Sequence, residues 1–136
     1  MALTRQDVDW RVVGTSALVT LAVTLPPVWI IRIMKGDDLA GSESNLWFIG
    51  PMAILVGFAV GGSLAARRRP ETPLLHSAAS GAVAYATIAI VTVVRRASSG
   101  TGVAVLSLLL LGQIAISVSL LAGYVTMRRT TREATE

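Results

Sequence analysis

Three polar side chains lie inside or beside apolar stretches of this chain, where they could do chemistry: Gln113, His76 and Arg32. Gln113 stands within an uncharged run, so its amide must find hydrogen-bond partners, either by joining two helices or by lining a polar path. His76 is the only histidine; it could sense protons or cap a helix at the membrane interface. Arg32 could reach lipid headgroups with its long stem, or serve in gating or substrate binding.

The residue types that are missing restrict this chemistry further. The apolar runs contain no Asp, Glu, Lys or Arg, and the whole chain contains no Cys and a single His. The sequence therefore lacks an intramembrane carboxylate for proton-coupled transport, a set of metal ligands and an activating partner for a serine nucleophile. We expect a protein that is not an enzyme and that holds no metal and no cofactor.

Four long apolar elements must position these side chains. Each uncharged run has about 20 residues or more, which is enough for a helix to cross the hydrocarbon core of a bilayer. The residues left between and outside the runs are too few for a soluble domain. We therefore predict an all-α, polytopic bundle of four transmembrane helices, forming a single integral membrane domain over residues 1–136. The expected spans are about 12–34, 46–66, 74–94 and 103–127.

Basic residues predict how the chain crosses the membrane. If it crosses four times, eight of the 12 Lys and Arg residues fall on one side. By the positive-inside rule this side faces the cytoplasm, so we expect a multi-pass protein of a cell membrane with both termini there. Arg95 and Arg96 lie on the other side and oppose this orientation. Five arginines beside the spans are also expected to contact anionic lipid headgroups: Arg67, Arg68, Arg69, Arg128 and Arg129.

Small residues at four-residue spacing predict the faces through which the helices pack. Lipid tails are as apolar as leucine, so membrane helices associate through close packing and interhelical hydrogen bonds. The second and fourth spans each carry such a face, and the first span carries a stripe of hydroxyl groups. These faces build the bundle itself or form the seam of a homodimer. They consist of Ala53, Gly57, Gly61 and Ala65, then Ala115, Ser119 and Gly123, and finally Ser16, Thr20 and Thr24.

Two adjacent prolines, Pro26 and Pro27, interrupt the hydrogen-bond ladder of the first span. Each lacks a backbone N–H, so two carbonyls of the preceding turn lose their usual donors. The Thr24 hydroxyl or a neighbouring helix could partly satisfy these carbonyls. The pair predicts either a fixed kink that fits the first helix around its neighbours or a hinge that lines a substrate path.

A short internal repeat is visible at the ends of the second and fourth spans. Residues 61–68, GGSLAARR, align with residues 122–129, AGYVTMRR. In both segments small residues are followed, after one turn, by an arginine pair. The match indicates either two parallel hairpins related by an axis along the membrane normal, or shared constraints on helix ends.

The stretch from Gly61 to Tyr85, GGSLAARRRPETPLLHSAASGAVAY, joins a glycine-rich helix end to a short basic loop and a helix rich in small residues. It resembles the small four-helix YrzE-type membrane proteins of bacteria, whose function is not established. Ala65-Ala66 stands where Ala-Gly is expected, and His76-Ser77 stands where glycine is frequent. The resemblance implies a four-helix bundle in a bacterial inner membrane and no particular mechanism.

Two functions from different classes fit these features. The apolar spans contain no charged residues and no group of side chains that could form a catalytic site. This favours a small accessory or scaffolding subunit that holds or stabilises a larger membrane complex. The alternative is a small oligomeric transporter or channel, with Gln113, the hydroxyl stripe and the proline pair along its path. In either case the expected partners are the lipid bilayer and other membrane subunits or a further copy of the chain. No nucleic acid is expected.

Overall fold

Four helices make up the computed structural model, which describes residues 8–35, 49–100 and 102–133. They are α1 (Trp10–Lys35), α2 (Ile49–Arg68), α3 (Pro73–Ser98) and α4 (Val105–Glu133). All four are long and apolar enough to cross a membrane. The predicted all-α bundle of four transmembrane helices is confirmed, and the chain is a small multi-pass membrane protein. The start predicted at residue 46 for the second span lies outside the described residues.

Local signals explain where the helices begin and end. Asp9 caps α1, because its Oδ1 atom accepts hydrogen bonds from the backbone N–H groups of Arg11 (3.0 Å) and Val12 (3.3 Å). Pro73 opens α3, where its fixed φ and missing N–H are tolerated. Gly100 follows α3 with a φ of 68°, which glycine adopts without strain. α3 and α4 continue past the apolar runs, since arginine is a good helix former outside the bilayer.

α2 contacts each of the other three helices and packs most extensively against α1 and α4. α3 also contacts both α1 and α4, whereas α1 and α4 scarcely touch each other. Successive crossings make α2 and α4 parallel, with α1 and α3 running the opposite way. The beginnings of α1 and α3 and the ends of α2 and α4 therefore share one end of the bundle. We call it the Arg-rich end, since it carries Arg67, Arg68, Arg128 and Arg129.

The internal repeat concerns this same pair of parallel helices, α2 and α4. Their common direction agrees with two hairpins of the same plan. Because four successive crossings produce that direction in any chain, the duplication itself stays a prediction.

Small and hydroxyl-bearing residues fill the interior, and large apolar residues face outward. The core contains Ala17, Ala84 and Ala115 around Phe58, which is 1% exposed. In lipid a large side chain gains little by burial, whereas small residues allow helix backbones to approach closely. The outer surface accordingly carries many large apolar side chains, among them Leu18, Trp29, Ile33, Ile90, Leu106, Leu109 and Leu121.

Candidate functional site

The hydroxyl stripe of α1 packs against the glycines of α2. Ser16, Thr20 and Thr24 are at most 2% exposed. A Cβ atom added to Gly57 would overlap Thr24 Oγ1, and one added to Gly61 would overlap Thr20 Oγ1. The same added atoms would lie 3.0 Å from the carbonyl oxygens of Thr20 and Ser16, respectively. The two backbones therefore lie in direct contact, and α2 closes the stripe along the length that these glycines cover.

The proline pair follows the buried stripe directly. α1 runs without interruption through Pro26, which is exposed, and Pro27, which is half-buried. The Thr24 hydroxyl has no hydrogen-bond partner among the described residues, so it does not satisfy the carbonyls that the prolines leave free. The fixed kink and the hinge both stay predictions.

Ser119 of α4 occupies a junction with α2 and α3. A Cβ atom on Gly62 would lie 2.6 Å from Ser119 Oγ, and one on Gly81 would lie 2.8 Å from Ser119 Cβ. The Ser119 hydroxyl donates to the Ser77 carbonyl at 2.7 Å, and the Ser77 hydroxyl donates to the Gly62 carbonyl at 2.8 Å. Gly123 lies against Ser77 one turn further along α4. Two hydroxyl groups thus connect three helices at points where only glycine leaves room.

The structure places most residues of the predicted packing faces in the interior. Ala53 is half-buried, and the others are buried: Gly57, Gly61, Ala65, Ala115, Ser119 and Gly123. Sequence reasoning missed a second buried face of α2, shifted by one position and formed by Phe58, Gly62 and Ala66. The sequence did contain a signal for this second face, namely the adjacent glycines Gly61 and Gly62. Adjacent positions on a helix point in different directions, so two adjacent glycines can contact two different helices. Within one chain, other helices already occupy both faces.

A polar node at the Arg-rich end ties the start of α1 to the loop between α2 and α3. It consists of Asp9, Arg69, Thr72 and His76. The Asp9 carboxylate accepts hydrogen bonds from Arg69 Nε at 3.1 Å and from Arg69 Nη2. The backbone N–H of Asp9 donates to His76 Nε2 at 3.0 Å, and His76 Nδ1 lies 3.0 Å from the Thr72 carbonyl oxygen. Since Nε2 accepts, the neutral imidazole carries its proton on Nδ1 and donates it to Thr72.

The His76 side chain is buried, with an exposed fraction of 1%, and it joins α3 to the residue that precedes α1. Its hydrogen bond to the backbone of Asp9 links residues that are 67 positions apart, so the sequence could not reveal the pair. Sequence reasoning also missed Asp9 itself. The signal was present, because an aspartate directly before the first apolar run is a typical helix cap.

The Asp9 charge makes a testable contribution to stability. The hydrogen bond from Arg69, followed by that from the Val12 N–H, lowers the pKa of Asp9 from its ordinary value of 3.8. A lowered pKa stabilises the fold above the unfolded-state value, and this contribution is lost as the pH falls through the lowered value. We therefore expect the wild-type protein to melt at a higher temperature than Asp9→Asn above about pH 4, and the two to converge below it. Thermal unfolding in detergent measures the difference.

Asparagine retains the capping oxygen, so Asp9→Asn removes the charge and leaves the helix cap in place. Arg69→Gln removes the other partner and should show the same convergence with wild type at low pH. A melting-temperature difference that stays constant from neutral pH to below pH 3 would contradict the ion pair.

Gln113 lies on the outside of α4, turned away from the core. It is exposed, as are Leu106, Leu110 and Ser117 on the same side, whereas Ala115 belongs to the core. At about 1.5 Å per residue, Gln113 lies only about 3 Å from the centre of the fourth apolar run. The amide makes no hydrogen bond to any residue within 8–35, 49–100 or 102–133. Within one chain it therefore neither joins two helices nor lines an enclosed path.

The five arginines predicted to contact headgroups differ in what they touch. Arg67 and Arg129 are exposed, and neither makes a hydrogen bond or ion pair within the part of the chain that the structure describes. The other three contact the chain itself: Arg68 Nη1 donates to Thr15 Oγ1 at 2.6 Å, Arg69 binds Asp9, and the Arg128 guanidinium lies 5.1 Å from the centre of the Tyr124 ring. Arg67 and Arg129 are thus the two best placed for an external anion.

No protein-family model, curated protein or solved structure matches this chain. The resemblance to the YrzE-type proteins therefore stays a prediction. Among the described residues, no three His, Cys, Asp or Glu side chains come together as potential metal ligands. The candidate functional features that the described residues offer are the outward amide of Gln113 and the basic groups at the Arg-rich end.

Proposed function

We propose that the protein is a small accessory or scaffolding subunit of a larger membrane complex, without enzymatic activity. The observation that carries the proposal is Gln113, a primary amide on the outside of α4 at mid-bilayer depth. Leaving such a group unpaired in an apolar medium costs roughly 2–7 kcal/mol. A helix of another membrane protein that offers donors and acceptors to this amide would remove that cost.

The surface around Gln113 supports a helix contact. We define the α4 outer face as Leu106, Leu110, Gln113, Ser117 and Tyr124, all of which are exposed in the chain. They recur at helical spacing along one side of α4. Polar side chains within an otherwise apolar stripe are a common means by which membrane helices associate. The internal faces already meet neighbouring helices, so the α4 outer face is where another subunit would dock.

The alternative function, a small oligomeric transporter or channel, would use the same amide differently. Copies of the chain around an axis would turn their Gln113 side chains toward a shared path. The hydroxyl stripe of α1, which was the other predicted lining, lends this function no support, because Gly57 and Gly61 close it. If this alternative is correct, the protein forms a homo-oligomer through which a flux can be measured.

We also propose that the Arg-rich end faces the cytoplasm of a bacterial cell. The described residues at this end include Arg11 and the five arginines predicted to contact headgroups, whereas Arg95 and Arg96 lie at the opposite end. Such an excess of basic residues favours the cytoplasmic side. With this orientation, the polar node also lies on the cytoplasmic side.

Affinity purification from a mild detergent tests the proposed subunit role. The variants are Gln113→Leu and, as a matched control, Thr87→Leu, which removes a polar group from an exposed position on α3. We expect wild type and Thr87→Leu to retain one foreign membrane protein in stoichiometric amount. Gln113→Leu should retain about fivefold less, because an interhelical hydrogen bond contributes about 1 kcal/mol.

A photocrosslinking residue in place of Leu110 should capture the same partner, and one in place of Ile90 on α3 should not. Partner retention that Gln113→Leu leaves unchanged, or a protein that purifies only as a monomer, would contradict the proposal. A homo-oligomer whose flux is lost in Gln113→Leu would instead support the transporter or channel.

A further inference from the structure

An open cleft of about 760 Å³ lies between α2 and α4 next to the Arg-rich end. We call it the α2–α4 groove. The Ser63 hydroxyl within it donates to the Ala59 carbonyl at 2.8 Å, so it leaves no unpaired donor in the groove. The remaining walls toward the bilayer centre are apolar: Ala59, Val118, Leu121, Ala122 and Val125. The groove therefore offers an apolar surface of the kind that an extended hydrocarbon chain covers well.

Charged groups from both helices lie where the groove reaches the Arg-rich end. Arg67 of α2 and Arg129 of α4 line it, together with Thr126 and Thr130. Both threonine hydroxyls donate to backbone carbonyls of α4, at 2.9 and 3.2 Å. The two guanidinium groups are therefore the principal donors left for a ligand. Glu133, the last residue of α4, also lines this end, and two cations against one carboxylate keep the net charge there positive.

We infer that the α2–α4 groove binds one anionic phospholipid, with an acyl chain along its apolar walls and the phosphate at Arg67 and Arg129. The eight helical steps from Ala59 to Arg67 rise by about 12 Å. An acyl chain that follows the helices from the bilayer interior thus brings its headgroup to the level of both guanidinium groups. The planar guanidinium group matches phosphate oxygens with paired donors, and basic pockets between membrane helices bind acidic headgroups.

Charge favours a lipid over a protein helix as the occupant of the groove. A helix docked there would have to offer a carboxylate to both arginines or leave them against apolar surface. In an anionic lipid, the phosphate lies in the headgroup region and the acyl chain lies in the bilayer interior. The two arginines and the apolar walls of the groove are arranged in the same order. Val118, Ala122 and Val125 lie on a different side of α4 from Gln113, so this inference does not rest on the proposed function.

Native mass spectrometry of the full chain in mild detergent, with phosphatidylglycerol added, tests the headgroup contact. We expect Arg67→Gln/Arg129→Gln to retain about thirtyfold less phosphatidylglycerol than wild type, given about 1 kcal/mol for each of the two basic residues at an anionic lipid surface. The matched control is Arg11→Gln/Arg132→Gln, which removes the same charge from the same end outside the groove. This control should retain the lipid as wild type does.

A second pair of variants tests the acyl chain without changing any charge. Ala122→Phe fills the groove, whereas Ala86→Phe adds the same ring at an exposed position on α3. Ala122→Phe should lower phosphatidylglycerol retention severalfold, and Ala86→Phe should not. Glycerol 3-phosphate, which has the headgroup chemistry but no acyl chain, should not compete.

The inference is overturned by equal retention in the two double-arginine variants, which would indicate general attraction to charge. Equal retention of phosphatidylcholine and phosphatidylglycerol by wild type would overturn it as well, because the headgroup would not be recognised. Competition by glycerol 3-phosphate would indicate a site for soluble phosphates instead of lipid. Loss of lipid in Arg67→Gln/Arg129→Gln and in Ala122→Phe, with both controls intact, supports the inference.

Discussion

Replacing Gly61 with leucine is expected to separate α1 from α2 and to lower the free energy of unfolding by about 3 kcal/mol. A Cβ atom at this position overlaps Thr20 Oγ1 and lies 3.0 Å from the Ser16 carbonyl oxygen. A backbone carbonyl within a helix cannot move aside as the end of a flexible side chain can, so the helices themselves must part. Unfolding of the purified protein in mixed micelles of increasing SDS fraction, followed by circular dichroism, measures the loss.

Gly14 provides the matched control on α1. Nothing lies within 4 Å of a Cβ atom added there, so Gly14→Leu should leave stability unchanged or raise it slightly, since glycine is a poor helix former. Gly61→Ala is also expected to lower stability, because it adds the overlapping Cβ atom. Adding Thr20→Ala to this variant should recover part of that loss, because Thr20→Ala removes the Oγ1 atom that overlaps. Equal losses at Gly14 and Gly61 would show that the close contact is not the cause.

Ser119→Leu is expected to disrupt the junction of α2, α3 and α4 with a similar loss, about 3 kcal/mol. Gly62 and Gly81 leave space for a hydroxymethyl group and for little more. Leucine at this position would overlap both helices and would also remove the hydrogen bond to the Ser77 carbonyl. The same unfolding titration in mixed micelles measures the change.

Two further substitutions separate the causes at this junction. Ser117→Leu makes the same change two residues earlier, at an exposed position, and should alter stability by less than about 0.5 kcal/mol. Ser119→Ala removes only the hydroxyl group and should cost about 1 kcal/mol. If Ser119→Leu proved as stable as Ser117→Leu, the tight junction described above would be wrong.

The helices could be predicted from the sequence because run length and absence of charge follow directly from the thickness of the bilayer. Which helices pack against each other could not be predicted from the sequence. Lipid and protein interior are similarly apolar, so hydrophobic periodicity hardly distinguishes the inner side of a membrane helix from its outer side. Small residues such as Gly57 and Gly61 indicated that a contact exists, but not that α1 would be the partner.

The candidate site was predictable to the extent that it depends on single residue types. Gln113 is conspicuous in any uncharged run, but its outward direction depends on which side of α4 meets α2 and α3. The groove could not be predicted at all, since it joins Arg67 and Arg129 through the parallel packing of two helices. The polar node is equally hidden, because Asp9 meets Arg69 only after α1 and α2 have paired.

Because α1 and α4 scarcely touch each other, the first three helices can pack together without α4. The contacts among α1, α2 and α3, including the polar node, involve only residues that precede α4 in the chain. α4 then enters last and places Ser119 between Gly62 and Gly81. A chain that stops short of α4 therefore exposes two glycines to lipid, so that an unfinished product differs from a finished one at a defined surface.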